Sequence, residues 1–139
     1  MRRPSNVQYS LGPSLTPVVK VLMWVNVLIF VSFAFLGNAV VPSLDVTYRT
    51  LMLALMGLHP QAVTEQKALW QLVTFLFVHG TFLHLLFNML GLWWFGADLE
   101  RVWGSRKFLQ YYMFAGIGSG LVSLVMQLPT IGASGSIYG

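Results

Sequence analysis

The feature that most limits what this chain can fold into is the spacing of its charges. From Val21 to Leu44 there is no Asp, Glu, Lys or Arg, and about 20 apolar residues suffice for a tilted helix to cross the hydrocarbon core of a bilayer. Two further uncharged windows, Ala68 to Ala97 and Phe108 to Gly139, are long enough for a span and a connecting loop. Thr50 to Thr64 is also uncharged but too short to cross, and it reads as an interfacial helix or a dipping loop. Only 9% of the 139 residues are charged and 56% are hydrophobic, whereas soluble domains carry about 25% charged residues. An ordinary water-soluble surface is excluded.

The basic residues fall where membrane topology requires them. Arg2, Arg3 and Lys20 precede the first window, and Arg101, Arg106 and Lys107 follow the second, which places both sets on the cytoplasmic side. The intervening loop carries only Arg49 and Lys67 beside Asp45 and Glu65, and so lies outside. A net charge of +4 gathered in this way speaks for lipid and against nucleic acid. With no cysteine, disulfides and thiolate metal sites are impossible. Arg2 and Arg3 before an apolar run ending at Gly37-Asn38-Ala39 mimic a signal peptide, but the run exceeds a usual signal core and more spans follow. The first span is expected to be retained.

The expected architecture is all-α, a polytopic transmembrane helical bundle. Residues 1–17, with Pro4, Pro13, Pro17, Gly12 and several Ser, are expected to form a flexible cytoplasmic tail, and residues 18–139 a partial membrane domain. Spans are expected over about 18–37, 81–96 and 106–127, with a fourth starting at 132. Thr81 suits a helix cap, and the second span is expected to end near Gly96 ahead of Asp98 and Glu100. On its wheel Thr81, His84, Asn88, Gly91 and Phe95 share the protein-facing side, while Phe82, Leu86, Met89 and Trp93 face lipid. The third carries a stripe of Tyr112, Gly116, Gly120, Ser123 and Gln127 suited to close helix packing. Trp70 reads as an interfacial anchor. The fourth helical pattern breaks off at Gly139, inside what would be the bilayer, so the natural chain is expected to continue.

Polar residues within spans are costly and call for an explanation, either bonding between helices or function. His84 and Asn88 lie one turn apart, about 6 Å along the axis. Ser134 opens the fourth helix, where free N–H groups and the positive helix end favour developing negative charge. The topology puts the start of the second span and the Pro129 turn on one side of the membrane, so the three could line one recess. Each alone is compatible with packing. Metal and phosphate readings fit worse: His79 and His84 lack the companion carboxylate of a zinc protease, and Gly116, Gly118 and Gly120 follow no strand and precede no lysine.

Trp70-Gln71-Leu72-Val73-Thr74-Phe75-Leu76-Phe77-Val78-His79-Gly80, followed by His84-Leu85-Leu86-Phe87-Asn88-Met89-Leu90, resembles the second-span signature of rhomboid proteases. Leu99-Glu100-Arg101 with Gly104-Ser105 resembles their next loop, and Gly132-Ala133-Ser134-Gly135 matches their GxSG motif. The resemblance covers roughly residues 68–139. It implies an intramembrane serine endopeptidase of a prokaryotic plasma membrane, acting on transmembrane segments of other proteins without a cofactor. By this resemblance Ser134 is the nucleophile, and His84, Asn88 and the N–H of Ser134 stabilise the oxyanion.

The family's general base is a histidine on a later span, which these 139 residues do not reach, so the chain as it stands is expected to be inactive. Gln71 departs from the Trp-Arg pair of many relatives, which unsettles any structural role of that arginine in the outer loop. A catalytically silent rhomboid-like protein that binds or guides membrane helices is the alternative. It leaves the serine of GxSG without a chemical purpose. A transporter or channel fits poorly, because the spans contain no formally charged residue.

Overall fold

The computed structural model describes residues 13–138 and is a bundle of helices. Among the described residues three helices are long and apolar enough to cross a membrane: Pro17–Leu36, Phe82–Trp103 and Ser105–Val125. The first is α1. A two-residue antiparallel pair, β1 (Val40–Val41) and β2 (Val46–Thr47), then leads into α2 (Tyr48–Met56), α3 (Pro60–Thr64) and α4 (Gln71–Thr74), which tightens into a 3₁₀ turn at Phe75–Phe77. The second long helix consists of α5 (Phe82–Gly91), a π-helical turn (Leu92–Gly96) and α6 (Ala97–Trp103). The third is α7 (Ser105–Val125), and α8 (Ser134–Tyr138) begins a fourth. Trp24, Leu28, Phe35, Phe82, Phe87, Trp94, Phe114 and Val125 point outward, as lipid-facing residues would.

The second long helix runs past its expected end. Asp98 and Glu100 do not stop it, because neither is a free charge at a helix end. Asp98 pairs with Arg101 at 2.6 Å, and Glu100, only 3% exposed, is turned into the bundle. The Glu100 carboxylate accepts hydrogen bonds from Val18 N at 3.0 Å, Val19 N at 2.9 Å, Thr16 Oγ1 and Ser105 Oγ. Two of the orphan N–H groups at the start of α1 are thus satisfied from a different helix. Pro17 fits at the first helical position, where its missing N–H costs nothing.

The same corner corrects the reading of the tail. Residues 1–12 lie outside the described residues, but Pro13 to Thr16 are fastened: Trp93 Nε1 donates to Pro13 O at 2.7 Å, and the Arg101 guanidinium donates to Ser14 O and Ser14 Oγ. The composition of the segment gives no hint of partners that lie about eighty residues away.

The π-helical turn also changes which residues face inward. On an uninterrupted α-helix Phe95 shares a face with His84, Asn88 and Gly91. The extra residue in the wide turn sets the phase back, so Phe95 is exposed while Gly96 is buried against Val19, Leu92 and Phe108. Met89, expected to face lipid, is in the core with Leu85 and Leu92, because α5 is flanked by both α1 and α8. In α7 Tyr112, Gly116 and Gly120 are buried, whereas Gln127 lies past the helix end and is exposed.

The loop between the first two long helices is tied down by its neighbours' side chains. The last four carbonyls of α2 all find donors: Gly57 N and His59 Nε2 at Leu53 O, Gln71 Nε2 at Ala54 O, Trp70 Nε1 at Leu55 O and Thr74 Oγ1 at Met56 O. Gln71 is 2% exposed and also accepts from His59 N at 2.9 Å. The position that departs from the relatives' arginine therefore does its own structural work, holding α2 and the His59 turn to α4.

Candidate active site

The site forms where the start of α5, the end of α7 and the start of α8 meet. Thr81 caps α5, its side chain accepting from His84 N at 3.2 Å. At the far end of α7, Leu58 and Thr130 exchange backbone hydrogen bonds, and Gly132 N donates to Phe75 O at 2.8 Å. These bonds hold the Pro129 to Ala133 turn against the loop that precedes α5.

Gly132 has φ of +108°, a conformation that favours glycine, and a Cβ there would lie 2.5 Å from His84 Nε2. The His84 ring therefore rests directly on the backbone two residues before Ser134. Sequence spacing cannot show that contact. Ser134 is the first residue of α8, and it is exposed while Gly132 and Ala133 before it are buried. Ser136 N and Ile137 N return to Ala133 O. The N–H of Ser134 belongs to the helix start that has no intrahelical acceptor.

Asn88 is 4% exposed and donates through Nδ2 to His84 O at 2.8 Å, leaving one N–H uncommitted and Oδ1 without a partner among the described residues. No hydrogen bond joins Ser134 to His84 or Asn88 among the described residues. Of the three residues expected at the site, His84 is thus brought against the serine's own turn, and Asn88 lies one helical turn further along the same face.

His79 was set aside on sequence grounds as a poor metal ligand, yet it backs the site. Its ring is 1% exposed and stands edge-on to His84, with centroids 4.9 Å apart. Neither ring nitrogen makes a well-formed hydrogen bond among the described residues, although the Phe77 backbone approaches. Burial, reinforced by the neighbouring His84, pushes the His79 imidazole down to about 4, so it is neutral at ordinary pH. The sequence signal was its place five residues before His84.

One cavity borders this region and another lies away from it. One of about 240 Å³ is lined by Leu53, Leu58, His59, Pro129, Thr130 and Ile131, beside the turn that leads to Ser134. Another of about 470 Å³ lies against Phe95, Leu99, Val102 and Tyr138, away from His84.

A model of the rhomboid domain matches residues 66–139. The chain is 38% identical over 91 residues to the rhomboid protease GluP of Bacillus subtilis, covering 65% of this chain and 18% of that protein. It is 32% identical over 122 residues to rhomboid-like protease 3 of Toxoplasma gondii, covering 86% and 45%. With the rhomboid protease GlpG of Salmonella newport it shares 27% identity over 123 residues, 88% of this chain and 40% of the other. The chain spans less than half the length of these relatives. Matched over its second half by the rhomboid domain and folded into membrane-length helices, this integral membrane chain belongs to the rhomboid family.

Proposed function

We propose that the protein is an intramembrane serine endopeptidase that cleaves peptide bonds in or near transmembrane helices of other membrane proteins. The observation that carries the reading is the contact between His84 and Gly132, which joins a polar donor on α5 to the turn ending at Ser134. Named relatives are rhomboid proteases, which supports the reaction class.

In this reading the Ser134 Oγ attacks the scissile carbonyl carbon. A C–O bond forms, the hydroxyl proton passes to a histidine on a later span of the family's fold, and the carbonyl oxygen becomes negative. The N–H of Ser134, the His84 imidazole and the free N–H of Asn88 receive that charge. Collapse expels the amine, which takes its proton from the histidine. Water then hydrolyses the acyl-enzyme by the same route and restores the serine. Lys20, Arg101, Arg106 and Lys107 are read as cytoplasmic, so the N-terminus is cytoplasmic and the site opens outward.

The test is cleavage of a single-span substrate by the full-length protein. Ser134→Ala should abolish turnover, and undiminished cleavage by that variant would refute the assignment. The 139 residues alone should show no Ser134-dependent turnover, because without a base the hydroxyl is a poor nucleophile. A full-length protein that binds such helices yet leaves them intact would favour the silent, helix-guiding alternative.

A further inference from the structure

Three polar side chains from three different helices meet in the middle of the bundle, and the chemistry above uses none of them. Asn26 of α1, Tyr112 of α7 and Ser136 of α8 are each at most 1% exposed. The Tyr112 hydroxyl neighbours both the Asn26 side chain and the Ser136 hydroxyl. Yet Asn26 Oδ1, Tyr112 OH and Ser136 Oγ each lack a hydrogen bond of full geometry among the described residues. Buried polar atoms left in this state are costly, so small adjustments that complete the bonds are strongly favoured.

The donors and acceptors match in one order. Asn26 Nδ2 is committed to Leu22 O at 2.7 Å, which leaves Oδ1 as the amide's free acceptor. The Tyr112 hydroxyl can donate to it and accept from Ser136. The cavity that borders Tyr112 and Ser136 measures about 10 Å³, room for one water at most, so the partners of these groups are one another, directly or through a single water. Ser136 can reach this place only because position 116 is glycine: a Cβ there would lie 2.2 Å from Ser136 Oγ. Gly135 likewise sits where a Cβ would strike Ser119 of α7.

Ser134 and Ser136 stand about 200° apart around α8. Holding Ser136 inward therefore turns Ser134 outward, and the first is buried while the second is exposed. Lipid-facing apolar residues cannot fix that rotation, because acyl chains solvate every apolar face alike. We infer that Asn26, Tyr112 and Ser136 form a hydrogen-bonded clasp that sets the rotation of α8 and so aims the Ser134 hydroxyl; they are positioning residues, and the inference rests on Ser134 being the nucleophile.

The experiment uses the full-length protein in detergent and in vesicles. Tyr112→Phe, Ser136→Ala and Asn26→Leu are compared with the parent for kcat and KM on a single-span substrate. The same proteins are assayed for the labelling rate of Ser134 by a fluorophosphonate and for the thermal midpoint. Each variant should lower kcat by about tenfold or more with KM unchanged, and slow labelling in parallel, since misplacement by about 1 Å can cost a hundredfold. Tyr112→Phe combined with Ser136→Ala should cost little more than either alone. Parental kcat in Tyr112→Phe overturns the inference, as does a loss accounted for wholly by a smaller folded fraction. Full activity in Ser134→Ala sinks the functional reading and this inference with it. Normal Tyr112→Phe beside an inactive Ser134→Ala sinks the clasp alone.

Discussion

Glu100 and Asp98 stand two residues apart on α6, and the structure assigns them opposite weights. Four donors converge on the Glu100 carboxylate, two of them the backbone N–H groups of Val18 and Val19 in the first turn of α1. Replacing it by Gln keeps the shape but offers one acceptor oxygen where the carboxylate had two, and it presents an NH₂ to donors. The Thr16 and Ser105 hydroxyls can rotate toward other acceptors, but the two N–H groups cannot. Losing one cap costs about 1 kcal/mol, and losing the negative charge at the helix start costs up to about 1 kcal/mol more. Glu100→Gln should therefore cost about 2 kcal/mol. Glu100→Ala strands both N–H groups and leaves a void, so about 3 to 4 kcal/mol is expected. At roughly 2–4 °C per kcal/mol for a protein of this size or somewhat larger, the thermal midpoint falls by about 6 °C for Gln and about 10 °C for Ala.

Asp98→Asn is the built-in control. Its carboxylate is 65% exposed in a surface pair with Arg101, and such pairs contribute about 0–1 kcal/mol. The midpoint should fall by less than about 3 °C. The assay is thermal aggregation of the full-length protein in a mild detergent. If Glu100→Gln shifts the midpoint no more than Asp98→Asn, the carboxylate does not hold α1 and the account of that corner is wrong.

Gly132→Ala should reduce cleavage at least about tenfold, because it forces a side chain against His84 at a backbone conformation that costs about 1–3 kcal/mol; Gly118→Ala, with open space around its Cβ, should leave turnover and stability near parental. Equal activity in the two alanine variants would contradict the packing of His84 on the GxSG turn. His79 gives a pH signature. Its folded value of about 4 lies below the ordinary 6.5, so the unfolded chain binds the extra proton and stability is lost as pH falls from about 6.5 toward 4. His79→Gln should flatten the parent's decline in thermal midpoint over that window, and an unchanged slope would show that His79 is not the group being titrated.

The legible parts of the sequence were those governed by local rules. An uncharged run of membrane length announces α1 and α7, and Thr81 announces the start of α5, because capping and bilayer thickness act within a few residues. The start of a fourth helix at Gly132-Ala133-Ser134-Gly135 could be read for the same reason, whereas the role of Ser134 was read from the family resemblance. What escaped was set at long range. Glu100 looked like a span terminator, since nothing near it in sequence reveals donors at Thr16, Val18 and Val19. The π-helical turn at Leu92–Gly96 carries no proline, and its Gly96 reads as a helix end and not as a wide turn, so the wheel placed Phe95 inside and the structure places it outside. Gln71 looked like a loss relative to its relatives. Its amide turned out to serve the carbonyl of Ala54 and the N–H of His59 together, as donor and acceptor at once.

These long-range features share one physical cause. A helix with lipid on much of its surface gains little from turning one apolar side chain or another inward, so burial of hydrophobic area specifies its rotation and height only weakly. Polar atoms specify them strongly, because each must find a partner or bear the cost of isolation in a medium without water. In this chain such atoms occupy separate levels of the bundle: Glu100 at the Thr16 corner, Asn26 with Tyr112 and Ser136 in the middle, and Gln71 with Trp70 and Thr74 under α2. The first and the last tie together elements that are distant in sequence, as the inferred clasp does in the middle. Glycines at 116, 132 and 135 let the backbones come close enough for these ties and for the site's own contact with His84. The fixed aim of one exposed serine thus follows from buried groups that never meet a substrate.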